Sequence, residues 1–422
     1  SLDLLYSLWF GDDSGRLLLK RVIDAADRGV QVRLVIDDLI LIGKDKALAA
    51  IQQHPNIELR LFNPKHQRKL GLVVSSLVNF KQMNSRMHDK LIVADNRAVI
   101  LGGRNIGDEY FGLHHRFNFH DLDVLGFGPV ARQSSEMFDN IWNSKWVVSA
   151  ASLPTRLSQE EAQKRRQKLL EELAVAAPLA NFPVDGRDWS VEFHDLSATL
   201  HFGTSEVIYD RFEDGELIRD MVDPLGQALR SAESSVKVTN AYLIPDQDFI
   251  DGLKRMTDRG VEVSIMTNSL ASHDVPAVNS QYKLWRRSLV EAGAELHELR
   301  ADPGIKNRID TPPVVSKFSG LHTKSFVVDG HIVFIGSMNF DPRSTNINTE
   351  MGIIIDSPGL GLEMLRLAER DMSPDNAWSV KVDEKGDLIW QNSDETVTRQ
   401  PARGCGQRFM DWLFQLLPKS QL

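Results

Sequence analysis

The sequence is short of cysteine, of long apolar runs and of excess positive charge, and each shortage narrows what the protein can be. A single cysteine, Cys405, excludes an intrachain disulfide and leaves no Cys–His zinc spacing. No stretch approaches the ~18 consecutive apolar residues of a membrane-spanning helix. Lysine and arginine together number 49 against 58 acidic residues, a net charge of −9. A dedicated nucleic-acid binder shows a basic excess, so this balance leans against one. An initiator methionine is also missing. The chain opens at Ser1 in what reads as a strand, with Leu2, Leu4, Tyr6 and Leu8 alternating. That opening leads us to expect a preceding N-terminal segment.

What is present is an ordinary globular composition, 422 residues with 42% hydrophobic and 25% charged side chains, enough for two to three domains. The chain also resembles itself. Arg28-Gly29-Val30-Gln31-Val32 returns as Arg259-Gly260-Val261-Glu262-Val263 at an offset of 231, Glu58-Leu59 as Glu295-Leu296 at 237, and His88-Asp89-Lys90 as His322-Thr323-Lys324 at 234. A near-constant offset across separated landmarks means a duplicated domain. Each half alternates helical patterns with short Val/Ile/Leu-rich strands, which predicts an α/β fold with mixed, largely parallel sheets flanked by helices. The expected divisions are residues 1–148, a helical linker over 149–190, a second domain over 191–365, and an extension over 366–422 comprising a hairpin and an amphipathic helix.

Each half carries H-x-K, four residues, Asp, six residues, G-x-x-N: His88, Lys90, Asp95, Gly102 and Asn105, then His322, Lys324, Asp329, Gly336 and Asn339. One such pattern should arise by chance in roughly one chain in ten thousand, and two at the duplication offset exclude accident. Read as a strand, the motif points His and Lys to one face. Asp95-Asn96 and Asp329-Gly330 are two-residue hairpin signals, which would set Gly103 beside His88 and Ser337 beside His322. The two motif aspartates then have the wrong parity for the histidine face and read as structural. The remaining set suits a phosphodiester. Lysine neutralises a non-bridging oxygen, while Asn105, Asn339 and Ser337 can donate hydrogen bonds to it. Double displacement at phosphorus needs a nucleophile and a general acid, and two halves facing each other supply two imidazoles. Each histidine should have a carboxylate fixing its tautomer. Glu350 is one candidate, and Asp123 the other, with Asp121 as its alternative. His114, His115 and His120 lack metal-ligand spacing.

These residues resemble the phospholipase D superfamily over nearly the whole chain. Within it, Gly102-Gly103-Arg104-Asn105-Ile106-Gly107-Asp108-Glu109-Tyr110-Phe111, Gly336-Ser337-Met338-Asn339-Phe340-Asp341-Pro342-Arg343-Ser344 and Thr267-Asn268-Ser269-Leu270-Ala271 are similar to bacterial cardiolipin synthases of the C type. The resemblance implies two tandem domains sharing one active site, with His88, Lys90, Asp95, His322, Lys324 and Asp329 as the catalytic set. It implies that a phosphatidyl group from phosphatidylethanolamine or phosphatidylglycerol passes through a phosphohistidine to phosphatidylglycerol. His88 would be the nucleophile and His322 the general acid, then base. No metal or other cofactor and no nucleic-acid partner is implied. The expected location is peripheral, on a bacterial cell membrane.

Two segments suit lipid contact. Pro64–Met87 holds five basic residues, no acid and an apolar centre, and the C-terminal Phe409–Leu417 region is rich in aromatic and aliphatic residues. Competing readings are a phospholipase D-type hydrolase with water as acceptor, a phosphodiesterase nuclease, and a lipid-binding scaffold. The last would be favoured by a lost His or Lys, and none is lost.

Overall fold

The computed structural model describes residues 1–64, 85–176, 179 and 188–415. Most of the basic Pro64–Met87 stretch, and Leu416 and Leu417, therefore lie outside the described residues.

In the first half the strands are β1 (Leu2–Tyr6), β2 (Val32–Asp37), β3 (Ile57–Phe62), β4 (Lys90–Ala94), β5 (Ala98–Gly102), β6 (Phe117–His120), β7 (Asp123–Phe127) and β8 (Val147–Ser149). In the second they are β9 (Thr204–Tyr209), β10 (Arg211–Glu213), β11 (Glu216–Ile218), β12 (Ser235–Asn240), β13 (Glu262–Asn268), β14 (Glu295–Leu299), β15 (Phe318–Leu321), β16 (Lys324–Val328), β17 (Ile332–Gly336), β18 (Met351–Asp356), β19 (Ala377–Val382), β20 (Leu388–Gln391) and β21 (Thr396–Val397). The first sheet runs β7-β5-β4-β1-β2-β3-β8. The second runs β21-β20-β19-β14-β13-β12-β16-β17-β18-β9. Strand for strand, β18-β17-β16-β12-β13-β14-β19 repeats the order of the first sheet, so the duplication is structural as well as textual.

Within the two large sheets, parallel pairing is confined to β1-β2-β3 and β12-β13-β14, where helical crossovers return the chain in the same direction. The motif strands and the outer strands pair antiparallel, so each sheet is mixed and less parallel than its Val/Ile/Leu-rich strands suggest. The expected C-terminal hairpin forms as β19 and β20, but β19 pairs with β14 and so extends the second sheet. The division expected after residue 365 falls inside the helix Pro358–Met372. The linker helix, Gln159–Ala174, starts at a capping box between Ser158 and Glu161 and is tied to the first half by Arg16–Glu172 at 3.0 Å.

Each half has its own apolar core, around Leu34 and Leu59 in the first and around Val236 and Ile265 in the second. A third cluster runs across both, joining Leu5, Leu91, Leu101 and Phe138 to Val327, Val333, Met351 and Ile353. The two sheets therefore share one apolar contact. It fixes their motif strands relative to each other.

Candidate active site

Both motif strands start at the lysine, one turn of the pleat later than the sequence suggests, because the residues before it leave their own sheet to pair with the opposite half. Met87 bridges Thr349 in parallel, and the His88 N–H donates to the Thr349 carbonyl. In mirror fashion β15 pairs in parallel with β6, and the His322 N–H donates to the His120 carbonyl. The segment leading into each histidine thus lies beside the segment leading into a carboxylate of the other half. Parallel pairing brings the next residues together: Thr349 is followed by Glu350, and His120 by Asp121.

The contacts follow. His88 Nδ1 lies 2.8 and 3.0 Å from the two Glu350 oxygens, and His322 Nδ1 lies 2.6 Å from Asp121 Oδ2. Both carboxylates are buried and both come from the opposite half. With Nδ1 engaged, each imidazole presents Nε2 to the shared space. Tyr110 and Phe119 wall His322, with ring centroids 5.1 and 5.2 Å away, and the Tyr242 ring stands edge-on at 6.3 Å. His322 is 5% exposed and His88 17%, so His88 is the more open of the two.

Lys90 and Lys324 are buried, and each Nζ donates to the backbone carbonyl of its own motif histidine. Burial, partly opposed by Glu350, brings Lys90 down to about 7, and burial brings Lys324 down to about 8 against the pull of Asp121 and Glu350. The same burial pushes Glu350 up to about 7, with Lys90 pulling the other way. His88 is driven well below an ordinary imidazole by burial and then by Lys90, Lys324 and His322. His322 is lowered by burial and Lys324, with Asp121 resisting. Asp121 is itself buried, yet His322, Lys324 and Arg104 hold it below the usual carboxylate range. Each histidine thus feels both lysines, which places the four groups around one point.

Several expected roles are revised by these contacts. Asp123 does not orient His322. It accepts from Arg104 Nε at 2.7 Å and from the Arg104 backbone N–H at 3.2 Å, while Asp121 takes the histidine. The chain turns between β6, which pairs with the other half, and β7, which pairs with its own, and Asp121 sits at that turn. Ser337 does not face the shared space either. Its buried hydroxyl donates to Glu350 and accepts the Met351 N–H at 3.0 Å. At Gly103, its counterpart, a Cβ would lie 2.6 Å from Asp121 Oδ1, so any side chain there would force that carboxylate to shift.

Asp95 and Asp329 lie at the far ends of the motif strands, remote from the imidazoles. The Asp95 backbone N–H donates to the Ser1 carbonyl at 3.1 Å, and Asp329 accepts the backbone N–H groups of Glu233, Ser234 and Ser235 at 2.9, 2.8 and 2.8 Å. They are hairpin anchors rather than members of the catalytic set. The register is also shifted by one. Ala94 pairs with Ala98 and Val328 with Ile332, because Asp95, Asn96, Asp329 and Gly330 all have positive φ and an extra residue, Arg97 or His331, is bulged out of each turn. Asn105 and Asn339 are buried just beyond the returning strands. Among the described residues each leaves its amide oxygen without a protein partner.

A cavity of about 730 Å³ lies away from this chemistry, between the helices Asp13–Asp27, Asp45–Gln52 and Gln159–Ala174. Among the described residues no group of His, Cys, Asp and Glu is arranged to hold a metal ion, and His120 instead lies 2.7 Å from Asp371. Tyr110 and the wall it forms were visible in the motif only as part of a resembling run, and Tyr242 carried no signal.

Residues 3–142 and 225–372 match the family model described as cardiolipin synthase, PLD-like domain. The chain belongs to this family. It is a phospholipid-modifying enzyme of the phospholipase D superfamily. It is 32% identical to cardiolipin synthase C of Escherichia coli (strain K12), over 99% of this chain and 90% of that one. It is 25% identical to cardiolipin synthase 2 of Staphylococcus epidermidis (strain ATCC 35984), over 89% of this chain and 64% of that protein. The crystal structure of phosphatidylserine synthase from Haemophilus influenzae Rd KW20 shares the fold, with a TM-score of 0.60 at 14% identity over 88% of this chain and 81% of that one. No helix among the described residues is long and apolar enough to cross a membrane.

Proposed function

We propose that the protein makes cardiolipin by transferring a phosphatidyl group, from phosphatidylethanolamine or phosphatidylglycerol, to the primary hydroxyl of phosphatidylglycerol at a membrane surface. The observation that supports this reading is the reciprocal exchange of carboxylates, Glu350 to His88 and Asp121 to His322, by which each half completes the other's histidine. His88, the more open imidazole and the one more strongly held neutral by its surroundings, attacks phosphorus through Nε2. His322 gives its proton to the departing alcohol oxygen, so the phosphorus–oxygen bond breaks as the phosphorus–nitrogen bond forms. In the second step His322 takes the proton of the acceptor hydroxyl, whose oxygen displaces His88 from phosphorus. Lys90 and Lys324 face the non-bridging oxygens, and a bound phosphodiester restores the charge that burial costs them. Asp121 and Glu350 hold the ring orientation through both steps.

The test is mass spectrometry of lipids formed from phosphatidylglycerol vesicles with and without phosphatidylethanolamine. The expected product is cardiolipin, lost in both His88→Ala and His322→Ala. Phosphatidic acid in its place would make the enzyme a hydrolase. A histidine–lipid adduct mapped to His322 would reverse the assigned order.

A further inference from the structure

The helix Cys405–Phe414 is amphipathic in the reverse sense. A helix on a water-soluble body turns its apolar stripe inward and its charge outward. Here the inward residue is Asp411, 2% exposed, which accepts from Asn279 at 2.6 Å, Lys283 at 2.7 Å and Gln400 at 3.1 Å. The residues facing out are Phe409, 58% exposed, Trp412, 54% exposed, and beside them Met410 and Leu413. The Phe409 and Trp412 rings lie together, centroids 5.9 Å apart. A buried ion pair pins the helix with its aromatic face to the outside.

Around this face lies local positive charge in a chain of net charge −9. Arg408 and Arg399 lie close enough to feel each other. Arg403 feels Arg116, and its guanidinium stands 5.4 Å over the Phe117 ring and 5.2 Å over the Phe318 ring. Among the described residues none of these four arginines is ion-paired to a carboxylate. Phe117 and Phe318 belong to β6 and β15, the two strands that run on to Asp121 and His322. Four residues at ~3.3 Å each put the braced end of β15 about 13 Å from His322. An apolar, aromatic helix with arginines nearby that form no ion pair among the described residues therefore sits at the near end of the strands that carry the site.

We infer that this helix face docks the enzyme on a bilayer containing anionic phospholipid, with Phe409 and Trp412 set into the headgroup–acyl boundary and the arginines on lipid phosphates. The inference rests on the proposed reading only in that the substrates lie in a bilayer. A second copy of the chain is a poorer occupant, because a two-fold contact through this patch would oppose arginines to arginines.

The experiment is sedimentation with vesicles of phosphatidylcholine alone or with phosphatidylglycerol, using the full chain, the double variant Phe409→Ser/Trp412→Ser and the double variant Arg399→Glu/Arg408→Glu. Removing two boundary side chains should weaken binding to the mixed vesicles about a hundredfold, at roughly tenfold each. Reversing the two arginines should weaken binding at least about fivefold per charge and abolish its salt dependence. Turnover of a short-chain phosphatidylglycerol below its micelle concentration should be the same in all three proteins, which also shows that the variants are folded. Vesicle binding that survives Phe409→Ser/Trp412→Ser overturns the inference, as does loss of short-chain turnover. A change from dimer to monomer by light scattering, with vesicle binding retained, also overturns it. Docking without any cardiolipin formed would leave this surface standing and remove the proposed reaction instead.

Discussion

Asp121 and Asp123 are two residues apart, and the structure gives them different work, so asparagine at each position separates orientation from scaffolding. Asp121 is buried with Oδ2 2.6 Å from His322 Nδ1, and among the described residues no other carboxylate is hydrogen-bonded to that nitrogen. Asp121→Asn offers an amide that can donate to Nδ1, which favours the tautomer carrying its proton on Nε2 and removes the charge that supports an imidazolium. Loss of a comparable aspartate beside a catalytic histidine costs about 10⁴ in kcat, or about 5 kcal/mol of barrier. Asp123→Asn instead loosens Arg104, which also donates to the Asp121 carbonyl at 3.0 Å. It should destabilise the fold by about 2 kcal/mol and slow turnover less than tenfold. The decisive assay uses a phosphatidyl ester of p-nitrophenol, whose departure needs no proton at neutral pH. With it, Asp121→Asn should release a burst of p-nitrophenolate equal to the enzyme and then stall, because His322 can no longer deprotonate the acceptor. Glu350→Gln, which disables His88, should give no burst. Asp123→Asn as severe as Asp121→Asn, or a burst in Glu350→Gln and none in Asp121→Asn, would refute the assignment.

Gly103→Ser should place its Cβ against Asp121 Oδ1, displace the carboxylate and lower kcat at least about a hundredfold with little change in KM; wild-type kcat in that variant would show that the contact yields freely. The pH profile of kcat/KM should be a bell. Its acid limb is the charging of His88, depressed well below 6.5 by burial, and its alkaline limb begins with loss of the His322 proton, itself lowered by burial and Lys324, and is complete by about 7 to 8, where free Lys90 and Lys324 lose their charge. An alkaline limb above pH 10 would mean that the lysines are not desolvated. In Asp329→Asn the amides of Glu233, Ser234 and Ser235 lose a charged acceptor. Burial acts against that charge, yet these hydrogen bonds hold the carboxyl down to about 2, so its stabilisation is present above the unfolded pKa of ~3.9 and is lost as pH falls towards 2. The variant should melt lower than wild type at pH 7, approach it near pH 2.5 by calorimetry, and keep its turnover per folded molecule.

The parts of this site that the sequence discloses are those set by local geometry. H-x-K and G-x-x-N are separated by one hairpin, so their spacing alone brings them to one end of a sheet. The duplication offset then implies a second, matching end. What depends on distant pairing is hidden. The parity of Asp121 and Asp123 cannot say which one turns inward, because the strand breaks between them and each side pairs with a different half. The hairpin register is off by one because Asp-Asn and Asp-Gly signal a two-residue turn, whereas the positive φ values are followed by a bulged third residue. Ser337 looks like a donor for phosphate only until Glu350 is placed beside it. The reversed helix at Cys405–Phe414 is legible as amphipathic, but its orientation depends on Asn279 and Lys283, more than a hundred residues away.

Exchange of carboxylates between the halves explains why neither half is a complete site and why the two have not stayed alike. A two-fold pair of identical domains would give each histidine the same partner. In this chain one partner is a glutamate held by Ser337, and the other is an aspartate, one carbon shorter, packed where only Gly103 leaves room. The shorter acid sits with the more enclosed, aromatic-walled His322, and it remains ionised beside that ring. The longer acid, raised towards neutrality, sits with the more open His88, whose neutral form is the one able to attack. An ionised aspartate stabilises an imidazolium and so favours acid–base duty. A glutamate pushed towards neutrality by burial does so less, and leaves the ring free as a nucleophile. On the proposed mechanism, the Gly103/Ser337 difference marks a division of labour between the two histidines.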